Sequence, residues 1–80
     1  MSEDPDALLT QLGLRVVRRR EALGLSQKEL AGKLGIAAPY LSRIEYGQQN
    51  LTFRTLCKLA DALEMTLAEL ITGTPPTSER

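Results

Sequence analysis

The 80-residue sequence contains no histidine, no tryptophan and a single cysteine, Cys57. One thiol cannot form an internal disulfide, and without histidine or a second thiol the chain has no credible set of zinc ligands. The usual general bases of enzymes are also lacking, and no serine or cysteine has an evident activating partner. We therefore expect no metal, no cofactor and no enzymatic activity.

Long hydrophobic runs are lacking as well, although 42% of the residues are hydrophobic. No stretch approaches the roughly 20 apolar residues that a transmembrane helix needs. Residues 2–9, SEDPDALL, are acidic where a signal peptide would be basic. We expect a single small cytoplasmic domain with no membrane partner. Because a core of this size seldom contributes more than about 3–5 kcal/mol, self-association is an expected supplement.

A net charge is absent too, since ten basic residues balance ten acidic ones, but the signs are sorted along the chain. Residues 15–58 hold nine basic and three acidic side chains, whereas residues 1–14 and 59–80 each carry a net charge of −3. A basic middle between acidic ends suits an anionic partner. Ordinary solvated surface charge is the alternative explanation.

Helix start and stop signals divide the sequence into five predicted helices and predict an all-α fold. The start signals are Asp4–Pro5, Ser26 with Glu29, Pro39, Thr52, and Thr66 with Glu69; the stop signals are Gly24, Gly35, Gly47 and Gly73. No segment shows the alternation that a strand requires. We expect residues 1–73 to form one domain, and residues 74–80, which lack an apolar anchor, to form a flexible tail.

Apolar residues recur at helical spacing within these segments and predict the buried faces. The expected faces are Leu8, Leu9, Leu12, Val16 and Leu23 in the first helix, and Phe53, Leu56, Leu59, Ala60 and Leu63 in the fourth.

Residues 27–46, QKELAGKLGIAAPYLSRIEY, place small and apolar residues where two helices that cross steeply need them. Ala31 is small where the second helix must approach the third, and Gly35 lies at the turn between them. Leu41 and Ile44 hold the third helix against the core. This is the helix-turn-helix pattern, although the same four residues also suit plain helix packing.

The sequence resembles the Cro and phage-repressor type of helix-turn-helix domain over residues 12–71. The resemblance is carried by GLSQ at residues 24–27, by YLSRIE at residues 40–45 and by the G-x-x-N turn at residues 47–50. It implies a compact five-helix bundle of the lambda-repressor type with the motif in helices two and three. The implied function is a transcriptional regulator that binds a palindromic operator in double-stranded DNA as a homodimer, without a small-molecule ligand.

Two subfamilies fit this resemblance. The controller proteins of restriction-modification systems share the size, the YLS-x-IE helix and the N-L-T segment, and they are the first candidate. Short phage-type repressors are the second.

The resemblance places the third helix in the major groove. It makes Arg43 the main expected base contact, because its guanidinium can donate two hydrogen bonds to guanine O6 and N7. Ala37, Ala38 and Pro39 occupy positions where relatives often carry Gln, Thr or Arg. We expect them to contact a thymine methyl group instead of forming hydrogen bonds.

Phosphate contacts are expected from two helix starts. Gln27 and the first-turn amides of the second helix form one, and Asn50 with Thr52 forms the other. The remaining predicted backbone contacts are Tyr40, Ser42, Gln49 and Arg54. Tyr40 also suits the edge of the core, and Thr52 also suits a simple helix cap.

The run Arg18 to Arg20 cannot share one helix face, because consecutive helical residues point about 100° apart. The resemblance pairs Arg20 with Glu45 as an internal ion pair that orients the third helix. Arg19 falls where relatives usually have an apolar residue, so we expect its stem to pack while its guanidinium reaches water.

The fifth helix carries more apolar surface than a two-turn helix needs for docking. The residues concerned are Met65, Leu67, Leu70 and Ile71. Relatives commonly dimerise here, which would place two third helices roughly 34 Å apart. The alternative is that all four residues complete the intramolecular core.

A protein-binding module is the main functional alternative, for example an antitoxin that uses the same fold to neutralise a partner. Antitoxins usually need extra chain for that purpose, and only residues 74–80 remain after the predicted domain.

Overall fold

The computed structural model describes residues 4–73, which form five α-helices. They are α1 (Pro5–Ala22), α2 (Gln27–Leu34), α3 (Ala38–Glu45), α4 (Phe53–Ala62) and α5 (Leu67–Thr72). No strand occurs between residues 4 and 73, so the predicted all-α fold is confirmed. The predicted tail at residues 74–80 lies outside the described residues.

Side-chain caps begin four of the five helices, as the start signals predict. Asp4, Ser26, Thr52 and Thr66 each accept a hydrogen bond from a backbone N–H in the first turn, at 3.0–3.1 Å. In α2 and α5 the side chain of a glutamate in the first turn also accepts a hydrogen bond from the backbone N–H of the cap residue, which completes both capping boxes. Each such cap stabilises its helix by about 1 kcal/mol. Helix α3 has no side-chain cap and begins instead with Pro39 in its first turn.

Glycine residues set the turn and the closest helix approach around α3. Gly35 ends α2 with a φ of 70°, a left-handed conformation that favours glycine. Gly13 lies inside α1, where a Cβ atom would come within 2.7 Å of the carbonyl oxygen of Ile44. The absent side chain therefore lets α1 lie directly against the C-terminal end of α3.

All five helices contribute to one core. Its buried apolar residues are Leu12, Val16, Leu30, Ala31, Leu41, Ile44, Leu59, Ala60, Leu63 and Leu70. Two residues predicted to be buried are instead exposed, Leu8 by 45% and Phe53 by 68%. Both lie in the first turns of their helices, ahead of the residues that face the core. For these two residues the predicted burial is wrong.

Two arginines of α1 hold the C-terminal ends of α4 and α5. Arg15 Nη1 donates to the carbonyl oxygens of Leu70 and Ile71, at 3.1 and 2.8 Å. Arg19 Nε donates to the carbonyl oxygen of Leu63 at 2.8 Å, and its Nη2 donates to that of Glu64 at 3.2 Å. The guanidinium of Arg19 thus caps a helix end, where a cation is favourable, instead of reaching into water as predicted.

Candidate nucleic-acid interface

A partly buried polar network, centred on the buried Glu45, joins α1, α2 and α3. Arg20 Nε donates to Glu45 Oε2 at 2.7 Å, and Arg20 Nη2 donates to Oε1 at 3.3 Å. Gln27 Nε2 also donates to Oε1, at 2.7 Å. The remaining end of the guanidinium donates to the carbonyl oxygen of Leu25 at 2.9 Å. This is the ion pair that the resemblance implies, and it fixes the end of α3 against the start of α2.

The network satisfies the charge that it buries. Glu45 is buried, and each of its carboxylate oxygens accepts at least one hydrogen bond. A buried carboxylate without such partners would be strongly destabilising. Within residues 4–73 no buried side-chain nitrogen or oxygen lacks a hydrogen-bond partner. The orientation of α3 is therefore set by a fully paired polar contact as well as by apolar packing.

Gln27 is the first residue of α2 and has a role inside this network. One N–H of its amide nitrogen donates to Glu45, so the second N–H of this amide and the backbone N–H groups of the first turn are the donors for a phosphate at this helix start. The backbone N–H groups of the first turn have no intrahelical acceptor. Ser26 Oγ accepts from one of them, that of Glu29.

Helix α3 buries one face and presents the other. Leu41, Ile44 and Glu45 are buried, whereas Pro39 and Arg43 are exposed. Ala37, which precedes the helix, is also exposed, and Ala38, Tyr40 and Ser42 are half-buried. The helix is therefore held by one side, while the predicted base-contacting side chains lie mainly on the other.

Arg43 is positioned by two neighbours. Its Nε donates to Gln49 Oε1 at 3.3 Å, and its guanidinium carbon lies 5.8 Å from the centre of the Tyr40 ring. Tyr40 belongs to the preceding turn of α3 and also packs against the core. Gln49 belongs to the segment between α3 and α4. The structure therefore joins three residues that the sequence analysis assigns to separate contacts.

The start of α4 carries the other predicted phosphate contacts. Asn50, Thr52 and Arg54 are all exposed. Thr52 Oγ1 accepts from the backbone N–H of Thr55 at 3.1 Å and lies 3.0 Å from its hydroxyl oxygen. The hydroxyl of Thr52 therefore acts as a helix cap.

The predicted dimer residues of α5 differ strongly in exposure. Leu70 is 0% exposed, so it belongs to the core of a single chain and its predicted place in a dimer interface is wrong. Met65 packs against the core, Leu67 is half-buried, and Ile71 is exposed. Ile71 opens into a groove of about 590 Å³. Its other apolar lining residues are Pro5, Leu8, Leu9, Leu12, Leu51 and Leu56.

Residues 4–73 contain neither a metal-ligand cluster nor a membrane-spanning helix. No cluster of His, Cys, Asp and Glu side chains there could hold a metal ion. None of the five helices is both long enough and apolar enough to cross a membrane.

Helices α2 and α3 are joined by the turn at Gly35, and each packs one face against the core. Helix α3 also exposes Arg43, and this arrangement defines a helix-turn-helix domain. The helix-turn-helix family HTH_3 matches residues 16–70. The chain therefore belongs to this family, whose members are DNA-binding transcriptional regulators.

Similar proteins agree with this assignment. An uncharacterised HTH-type transcriptional regulator of Sinorhizobium fredii, y4dJ, is 39% identical over 66 residues, which are 82% of this chain and 86% of the relative. The restriction-modification controller protein C.AhdI of Aeromonas hydrophila superposes with a TM-score of 0.76 and 39% identity, covering 80% of this chain and 97% of that one. SinR, a master regulator for biofilm formation solved in complex with DNA, has a TM-score of 0.69 and 37% identity, covering 74% and 95%.

Proposed function

We propose that this protein is a sequence-specific transcriptional regulator that binds a palindromic operator as a homodimer, with α3 of each protomer in the major groove. The observation that carries the proposal is the division of α3. Glu45 and the apolar residues hold one face, and Arg43 projects from the other. The likeness to SinR, whose structure contains DNA, supports DNA as the partner, and the second helix of a helix-turn-helix motif is the one that enters the major groove.

Base recognition in this proposal depends on Arg43. Its guanidinium donates to O6 and N7 of a guanine, a bidentate contact that contributes about 1–3 kcal/mol of discrimination. The exposed residues Ala37 and Pro39 contact thymine methyl groups. Ala38 is half-buried and contributes a smaller area to this contact. Because these three residues offer no side-chain hydrogen bonds, most of the direct base discrimination falls to Arg43.

Phosphate contacts come from the two helix starts on either side of α3. The side-chain amide of Gln27 and the backbone N–H groups of the first turn of α2 meet one phosphate, aligned with the positive end of the α2 dipole. Asn50, Thr52 and Arg54 meet a second, and Ser42 contributes from α3. Thr52 Oγ1 serves as the helix cap by accepting a hydrogen bond, and its O–H is the donor to the phosphate.

Dimerisation in this proposal uses the exposed apolar surface around α5. Ile71 provides the central contact, and Met65 and Leu67 contribute their exposed parts. The open groove with Leu8 extends this surface onto α1. A two-fold axis here places the two α3 helices roughly 34 Å apart, one turn of the double helix.

Among regulators of this family, we assign the protein to the type of the restriction-modification controllers. The match to 97% of the C.AhdI chain supports this choice. In such a regulator the operator occupancy follows protein concentration through dimerisation.

Selection of bound duplexes from a random pool tests the proposal. We expect a symmetric consensus and an affinity that falls as salt rises, because phosphate contacts release counterions. Arg43→Ala should cost about 1–3 kcal/mol and relax one base position in each half-site, while Gln27→Ala should weaken all sequences similarly.

Two results would contradict the proposal. One is the absence of any enriched duplex. The other is a stoichiometric protein partner whose binding survives both Arg43→Ala and Gln27→Ala, which would favour the antitoxin-like alternative.

A further inference from the structure

The cluster of Tyr40, Arg43 and Gln49 carries an inference that rests on the proposed function and refines it. We propose that Tyr40 and Gln49 are positioning residues: they hold the guanidinium of Arg43 in its base-reading orientation and thereby set base discrimination. In this role they do not serve as phosphate contacts.

The two restraints on Arg43 come from different elements. Gln49 lies in the segment that follows α3, and its Oε1 accepts a hydrogen bond from Arg43 Nε at 3.3 Å. The Tyr40 ring lies 5.8 Å from the guanidinium carbon, within the range of a cation–π contact, and is held by its own packing against the core. A free exposed arginine samples many rotamers, whereas this one is held at both its Nε and its π face.

The pairing also determines which donors remain for a base. With Nε bound to Gln49, the two Nη groups keep their four N–H donors. One N–H from each Nη forms the parallel fork that matches guanine O6 and N7. The side-chain oxygen of Gln49 is the acceptor that leaves this end of the guanidinium free.

Gln49→Met tests the pairing because it keeps the length of the side chain but removes the acceptor. Gln48→Met is the matched control, since Gln48 is the exposed neighbouring residue. In the free protein, the ¹⁵N heteronuclear NOE of Arg43 Nε should fall in Gln49→Met and stay unchanged in Gln48→Met. An unchanged NOE in both variants would overturn the proposed restraint.

Binding measurements then separate positioning from phosphate contact. Three duplexes are used. They are the selected operator, a random duplex, and the operator changed at the base pair that Arg43 reads, which is the base pair that the wild type discriminates and Arg43→Ala does not. Gln49→Met should reduce the ratio of operator to changed-operator affinity by about two- to tenfold, the size expected for ordering one side chain. Affinity for the random duplex should stay within about twofold.

A double-mutant cycle adds a second criterion. Gln49→Met should have no further effect in the Arg43→Ala background, because its effect acts through Arg43. An equal loss on all three duplexes that persists in this background would identify Gln49 as a phosphate contact and overturn the proposal.

Conservative variants complete the test. Gln49→Glu keeps an acceptor for Arg43 Nε, so it should restore the affinity ratio while lowering affinity for every duplex by repulsion. Tyr40→Phe keeps the ring and should leave the ratio unchanged. A uniform loss in Tyr40→Phe would instead show that the Tyr40 hydroxyl contacts a phosphate.

Failure of this inference is distinguishable from failure of the proposed function. If the wild-type protein prefers no duplex, the proposed function fails, and the NOE still decides whether Gln49 orders Arg43. If the wild type discriminates, Arg43→Ala removes the discrimination and Gln49→Met retains it, only the positioning role is overturned.

Discussion

The two surfaces to which we assign a function are supported in different ways. The α2–α3 unit is held by the paired charges of Arg20 and Glu45, and its exposed face carries Arg43. The region around α5 is held by the buried Leu70 and by two carbonyl contacts of Arg15, and it exposes the apolar side chain of Ile71. A cationic side chain on a helix held by a polar network suits contact with DNA, whereas an exposed apolar side chain on a core-anchored helix suits contact with protein. The following predictions test this difference, beginning with the largest effect.

Removing the carboxylate of the polar network should have the largest effect. Glu45→Ala leaves Arg20 without its partner and should lower the free energy of unfolding by about 3–5 kcal/mol, the cost of breaking a buried ion pair. Urea denaturation followed by circular dichroism measures this change. Glu21→Ala, at an exposed residue of α1, should change stability by less than about 0.5 kcal/mol. Equal stability of the two variants would show that the network does not hold α3.

The close approach of α1 and α3 should be the next most sensitive feature. Gly13→Ala puts a Cβ against the backbone of α3 and should destabilise the protein by about 1–3 kcal/mol, as overpacking does. Gly32→Ala is the matched control, because nothing lies within 4 Å of a Cβ there. It should stabilise α2 by about 0.5–1 kcal/mol. Opposite shifts in the thermal midpoint are expected, and a gain for Gly13→Ala would contradict the structure.

The apolar surface at α5 should affect association more than folding. Ile71→Asn places a polar amide on the proposed dimer surface and should weaken dimerisation by about tenfold, because an unpaired polar group is costly to bury. Leu14→Asn changes a residue of similar exposure, 46% against 47% for Ile71, that lies on α1 outside the groove. Sedimentation equilibrium should show a shift only for Ile71→Asn. The same shift for both variants would place the interface elsewhere.

The smallest expected effect is a pH dependence at the start of α2. The backbone N–H of Ser26, and to a smaller extent its side chain, lowers the pKa of Glu29 from its usual 4.5. A lowered folded-state pKa contributes stability that is present above pH 4.5 and is lost as pH falls through the folded-state value. Acid titration of unfolding should show this loss in the wild type and a smaller one in Glu29→Gln. Identical acid profiles for the wild type and Glu29→Gln would show that the charge of Glu29 does not stabilise the capping box.

Local signals predicted the helices because the interactions that start and end them lie within a few residues. Ser26 and Glu29 cap α2, and Thr66 and Glu69 cap α5, each across three positions. Such contacts depend on backbone geometry that the helix itself provides.

Burial was harder to predict because it depends on which part of each helix packs against the other helices. Phe53 and Leu8 have suitable helical spacing but lie in first turns that precede the packed region. Leu70 is an apolar residue of the kind expected in an interface, but its side chain is buried in the core of the single chain. The close approach at Gly13 was missed, although a glycine inside a helical pattern costs about 1 kcal/mol relative to alanine and is a signal for a packing role.

The sequence by itself determined the five helices, the helix-turn-helix segment and the resemblance that pairs Arg20 with Glu45. Tertiary structure alone decided that Arg15 and Arg19 hold the ends of α4 and α5 and that Gln49 meets Arg43. Caps and apolar spacing act between residues three or four positions apart, so they are visible in the order of amino acids. The contacts of Arg15 and Arg19 join residues more than 40 positions apart, and they exist only once all five helices have packed.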